Sequence, residues 1–153
     1  MPVTPAGPAL SARLAESLYT EAMLLADETR AYFDREGRDA RDALDPRTRV
    51  QFACEALKAT TRLMHVIAWL LVRRAVDAGE LTEREAGDPQ RRLADPTPSD
   101  TAVLGAMPSP ARRLVMAGID LYERVGRFAD GIESPVTLSS PARALMQRLE
   151  NAF

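Results

Sequence analysis

Few residues in this 153-residue chain have the chemistry to make or break bonds, and their spacing keeps them apart. Cys54 is the only cysteine and His65 the only histidine. As nucleophile and base they would have to approach to roughly 3 Å, yet eleven residues along one helix separate them by about 16 Å. One His and one Cys cannot supply a zinc set. A bundle di-iron site needs Glu-x-x-His pairs on two helices, and the residue three places before His65 is Arg62. The chain has neither a Gly-rich phosphate loop nor a G-x-S-x-G elbow. Cys54 therefore reads as a small core residue and His65 as a structural or rim histidine. The expectation is a protein that is not an enzyme, with no catalytic residue, metal or cofactor.

The charged residues are more informative. Arg62, Arg73 and Arg74 bracket a ten-residue run, Leu63 to Val72, in which only His65 is not apolar. Two readings stay open for these arginines: the snorkelling ends of a buried helix, or a basic patch that contacts an acidic partner. As candidate partner contacts they are Arg62, Arg73 and Arg74. The formal net charge of −2 gives no bulk attraction to nucleic acid or to an anionic membrane. Arg112 and Arg113 open a later helix, but Asp120, Glu123 and Asp130 follow them, so no nucleic-acid partner is expected. Glu21, Asp27, Glu28, Asp34 and Glu36 read as a solvated acidic face.

Prolines divide the chain into runs that can be helical. After a Pro-rich leader over residues 1–9, Leu14, Leu18, Ala22, Leu25, Thr29 and Tyr32 recur at three-four spacing and predict a helix from about Ala9 to Glu36. Gly37 serves as its stop, and GRDARDALD follows as a loop or loose turn. Asp45-Pro46 is a cap-and-start signal for a second helix, which runs to about Ala78 and ends at Gly79. Val50, Leu57, Met64 and Leu71 repeat every seven residues along it. The greasy run is too short for a membrane span, which needs about 20 apolar residues. This second helix is therefore read as the core, with Leu57, Met64, Ile67, Trp69 and Leu71 buried.

Thr82 and Glu85 form a capping-box pattern for a short helix, and residues 87–107 read as a long irregular connection. Ser109-Pro110 starts a third helix, which extends to about Asp130. Its stripe of Leu114, Gly118, Leu121, Val125, Phe128 and Ile132 places Leu121 and Val125 in the core. Residues 133–153 form a tail, flexible or briefly helical from Pro141, with Leu145, Met146 and Leu149 on one side. The fold class is thus all-α: an antiparallel bundle of three long helices over residues 1–132, with a C-terminal tail. A lone cysteine and a leader with no basic or apolar export signal lead to the expectation of a cytoplasmic protein.

Two blocks add a family resemblance. LYTEAMLLADETRAYFD, residues 18–34, followed by the EGRDAR stretch, and EALKATTRLMHVIAWLLVRRAVDAGE, residues 55–80, resemble the RcdA family, named for the regulator of CtrA degradation of alphaproteobacteria. The second block is the more specific, through TTRLM, AWLL, RAV and GE. The resemblance implies a homodimeric bundle of three long helices and a non-enzymatic role in regulated proteolysis linked to the cell cycle. An adaptor of that kind tethers clients at the ClpXP protease. Its implied partners are the ClpX unfoldase or its priming response regulator, together with client proteins, and residues 133–153 would correspond to the family's working tail. The alternative is a helical transcriptional or signalling regulator.

Overall fold

The computed structural model describes residues 6–95, 97–133 and 141–152. All its regular elements are helical, and no strand occurs among the described residues. The long helices are α1 (Ala6–Asp34), α3 (Pro46–Asp77) and α6 (Ser109–Glu133). Between them lie the short α2 (Glu36–Asp42), α4 (Glu83–Ala86) and α5 (Thr101–Ala106), and α7 (Pro141–Glu150) follows. No helix of the described residues is long and apolar enough to cross a membrane.

The local signals act where the sequence places them. The Asp45 carboxylate accepts from Thr48 N at 3.3 Å and caps α3, with Pro46 in its first turn. At the other end Gly79, with φ +77, takes the left-handed conformation that stops the helix. Thr82 and Glu85 close the expected capping box of α4. α1 begins at Ala6, earlier than the expected Ala9, while residues 1–5 of the leader lie outside the described residues.

Two expectations about the connections are corrected. Gly37 does not stop α1: the break is at Arg35, with φ −119 and ψ −88, and Gly37 sits inside α2, where GRDARD is helical. Its lack of a side chain meets a packing need, because a Cβ there would lie 3.1 Å from Phe33, Tyr32 Cε1 and the Tyr32 carbonyl. Residues 101–106 are also helical, since the Asp100 carboxylate accepts from Ala102 N at 3.0 Å and Val103 N at 3.4 Å and nucleates α5.

Helix direction accords with the expected antiparallel bundle through α1 and adds one parallel pair. α1 is antiparallel to both other long helices: Glu16 meets Arg74 and Phe33 meets Phe52 on α3, while Glu21 meets Arg124 on α6. α3 and α6 instead run the same way. Ala59 packs in one cluster with Ala111 and Val115, Leu63 lies beside Gly118, and Trp69 meets Phe128 edge-on at 5.7 Å. The chain must therefore return along the whole bundle between α3 and α6, and residues 78–108 make that return. In order, Leu93 packs on the Trp69 cluster, Thr97 and Ser99 meet Arg62, Asp100 N meets Glu55, and Leu104 and Met107 join Phe52 and Ala59.

The core has two parts. One holds Leu18, Ala22, Leu63, Val66, Trp69, Leu70, Leu121, Val125 and Ala129; the other holds Phe52, Ala59, Leu104, Met107, Ala111 and Val115. Leu121→Ala is expected to lower the unfolding free energy by about 2–5 kcal/mol through the cavity it leaves. Gly79→Ala should cost about 1 kcal/mol, because a Cβ opposes its positive φ. Urea unfolding of both variants checks the two figures; an unchanged midpoint for Leu121→Ala would contradict the packing of α6.

Candidate interaction surface

The face that α3 turns inward is Phe52, Glu55, Ala59, Arg62, Leu63, Val66, Trp69, Leu70 and Arg73. It contains three charged residues. Glu55 and Arg62, only 2% and 4% exposed, stand seven residues apart on this face and hold the returning chain. Asp100 N donates to Glu55 Oε1 at 2.9 Å, and Lys58 Nζ approaches the same oxygen at 3.0 Å. Arg62 Nη2 donates to the Thr97 carbonyl at 3.3 Å and to Ser99 Oγ at 3.1 Å. Burial pushes the Glu55 carboxyl up, but hydrogen bonds from Asp100 N and Ser99 and the nearby Lys58 outweigh it and hold the group below the usual glutamate range. Burial lowers the pKa of Arg62, though an arginine so placed keeps its proton.

The proposed arginine contacts are therefore corrected for two of three residues. Arg62 is spent on the returning chain, and Arg73, 8% exposed, is ion-paired with Glu83 at the start of α4. Neither guanidinium is available at the surface. Arg74 is half-buried between α1 and α3: its Nε meets Glu16 Oε1 at 2.7 Å, and its guanidinium carbon lies 4.4 Å above the centre of the Tyr19 ring. All three arginines tie α3 to the rest of its own chain.

The opposite face of α3 reverses the expected burial. Leu57, Met64 and Leu71, assigned to the core from the heptad, are 68%, 63% and 46% exposed, and Val50 is 63% exposed. Ile67 is partly buried against the core, while Trp69, Leu121 and Val125 are buried. The inward face carries Glu55, Arg62 and Arg73, so hydrophobicity alone favours the outward face. Cys54 likewise lies on the exposed side, and His65 is half-buried at its edge.

Between Val50 and Leu71 the outward face adds Ala53, Cys54, Thr60, Thr61 and Ala68 and bears no charged residue. The Thr60 hydroxyl is turned onto the Ala56 carbonyl at 3.0 Å, which hides part of its polarity. The strip is about 32 Å long at the helical rise. Alongside it, Met64 and Thr60 line a groove with Ala26, Asp27 and Arg30 of α1, and the 37%-exposed Met23 lies one turn earlier on that helix. The chain itself leaves this strip uncovered, and exposed apolar patches are where interaction sites are found in other proteins. Cys54 is the one thiol on it, and His65 stands eleven residues further along the helix; no cluster of metal-ligating side chains occurs among the described residues.

The buried carboxylate predicts a pH dependence. A group whose folded pKa is depressed stabilises the fold fully above its unfolded pKa, near 4.3 for glutamate, and this contribution is lost as pH falls through the folded value. Thermal unfolding of the wild type should therefore lose stability on acidification below about pH 4.3. Glu55→Gln should be less stable by about 1.5–3 kcal/mol at neutral pH and show a shallower acid dependence. Parallel acid limbs for the two proteins would contradict the role given to Glu55.

Comparison with known proteins places this architecture. The family model described as "Protein of unknown function (DUF1465)" matches residues 6–153. No curated protein sequence matches the chain significantly. Among solved structures, the crystal structure of RcdA from Caulobacter crescentus CB15 is similar at a TM-score of 0.65 and 31% sequence identity, covering 84% of this chain and 95% of that one. A match over nearly the whole chain, together with the shared bundle, shows that the protein belongs to the DUF1465 family, which is the RcdA family.

Proposed function

We propose that this protein is a non-enzymatic, homodimeric adaptor in regulated ClpXP proteolysis, linked to cell-cycle control and acting in the cytoplasm by tethering. The observation that carries the reading is the outward face of α3: a chain of the RcdA family leaves an uncharged apolar strip there uncovered. A two-fold pair of such strips would match itself, apolar to apolar along both helices. The same helix commits its buried charges to its own chain, so its outer face offers shape and apolar area, not ion pairing.

The tail provides a second contact. In α7, Leu145, Met146 and Leu149 are all exposed and lie along one side of a ten-residue helix. A helix this short is marginal alone, and such segments gain order by docking on a partner. The boundary between a bundle over residues 1–132 and the tail falls beside residues 134–140, outside the described residues. The proposed partners are the ClpX unfoldase or its priming response regulator, and client proteins. Tethering raises the local client concentration at the protease without any chemistry by the adaptor.

A tagged pull-down from lysate of the source organism, with and without residues 133–153, tests this reading. Recovery of the unfoldase or its priming response regulator by the full chain, reduced at least about tenfold by the deletion, is the expected result. Recovery of DNA or a transcription complex alone would replace it with a helical transcriptional or signalling regulator.

A further inference from the structure

A second apolar surface lies at the end of the bundle where the tail begins. Leu10 and Leu14 of α1 and Phe128, Gly131 and Ile132 of α6 line an open groove of about 310 Å³. Polar side chains reach it only at Ser11 and Arg127. Leu10 and Leu14, 67% and 44% exposed, stand one turn apart on α1. Phe128 and Ile132 stand one turn apart on the facing helix, so each wall presents an apolar pair at i and i+4. No atom lies within 4 Å of a Cβ built on Gly131, so the groove is open at that point.

The tail carries a matching surface. On α7, Leu145 and Leu149 are also four residues apart, with Met146 beside them, and all three are more than half exposed. Residues 134–140 join α6 to α7. Seven extended residues span up to roughly 25 Å, whereas α7 is about 15 Å long. The groove reaches Ile132, next to the last residue of α6. α7 can therefore lie along the groove with no change in the bundle. A tether this short holds it there at an effective concentration in the millimolar range. A marginal amphipathic helix docks in an apolar groove under such conditions. The favoured occupant is thus the chain's own α7, since a partner from solution has no such advantage.

We propose that α7 docks through Leu145, Met146 and Leu149 in the groove between α1 and α6 of its own chain, as a fourth helix of the bundle. Docking covers the apolar face that the tail offers to partners, so a partner competes with the groove for it. That consequence rests on the adaptor reading; the docking itself does not.

Amide hydrogen exchange of the full chain, read by mass spectrometry over residues 145–152, tests the docking with no partner present. An undocked helix of this length exchanges close to the unfolded rate, so wild-type protection of at least about tenfold is expected. Leu14→Asp puts a charge on one wall, and Gly131→Glu fills the other. Both sites are open enough for the bundle to keep its helical content, which circular dichroism checks. Each variant should return α7 to the unprotected rate. Leu24→Asp, at a 66%-exposed site of α1 outside the groove, should leave it protected. To identify the chain, Leu14→Cys and Met146→Cys are combined with Cys54→Ser and oxidised. A cross-linked single chain is expected on a denaturing gel without reductant. An unprotected wild-type α7, or protection that survives both groove variants, would overturn the proposal. A cross-link between two chains would overturn it too and assign the groove to the tail of a second copy. Failure to recover partners in the pull-down changes none of these outcomes.

Discussion

The parallel course of α3 and α6 is the constraint on which the rest of this molecule depends. Two helices that run the same way cannot be joined by a short turn, so residues 78–108 must travel back along the bundle. A segment of that length needs holding points. The structure supplies them through Glu55 and Arg62 on α3, which take the Asp100 amide, the Thr97 carbonyl and the Ser99 hydroxyl. Tyr122 of α6 adds another, its hydroxyl donating to the Ala94 carbonyl at 2.7 Å. The returning chain then closes the lower core with Leu104 and Met107. A buried backbone segment with polar groups is stable only where each finds a partner, and here charged side chains of the central helix provide them.

From this follows the unusual distribution of polarity on α3. A helix that must anchor a polar segment spends charges on its inner side, and its apolar residues are left to face outward. The outward strip from Val50 to Leu71 thus has no role in the core of its own chain. It is the apolar surface on which the proposed reading of this chain rests. Tethering proteins work through such surfaces and through terminal segments, not through pockets that hold reacting atoms.

Much of this was legible in the residues. Asp45-Pro46, Gly79 and the Thr82–Glu85 box mark helix ends through local chemistry that needs no tertiary context, and they stand where expected. The α6 stripe was equally plain because its inward positions, Leu114 to Val125, carry no charge. On α3 the opposite holds, because its inward face is charged. Its heptad of Val50, Leu57, Met64 and Leu71 is the more apolar face, and hydrophobicity alone sends the more apolar face inward. The signal against that reading is the spacing of Glu55, Arg62 and Arg73, which share one side of the helix with Trp69, the only tryptophan. Likewise, residues 87–107 read from the sequence as a long irregular connection, whereas a parallel pair of helices accounts for their length. Helix direction is a property of the assembled chain, and local pattern does not encode it.

The outer face of α3 is proposed as the place where two copies meet. Sedimentation velocity over a range of concentrations, on the wild type and on Met64→Asp, tests it most directly. The account predicts a wild-type dimer and a monomeric variant of unchanged helical content, since a charge at Met64 is solvated in the single chain but unpaired in the interface. A wild type that stays monomeric at every concentration, or a variant that dimerises as tightly as the wild type, would contradict it.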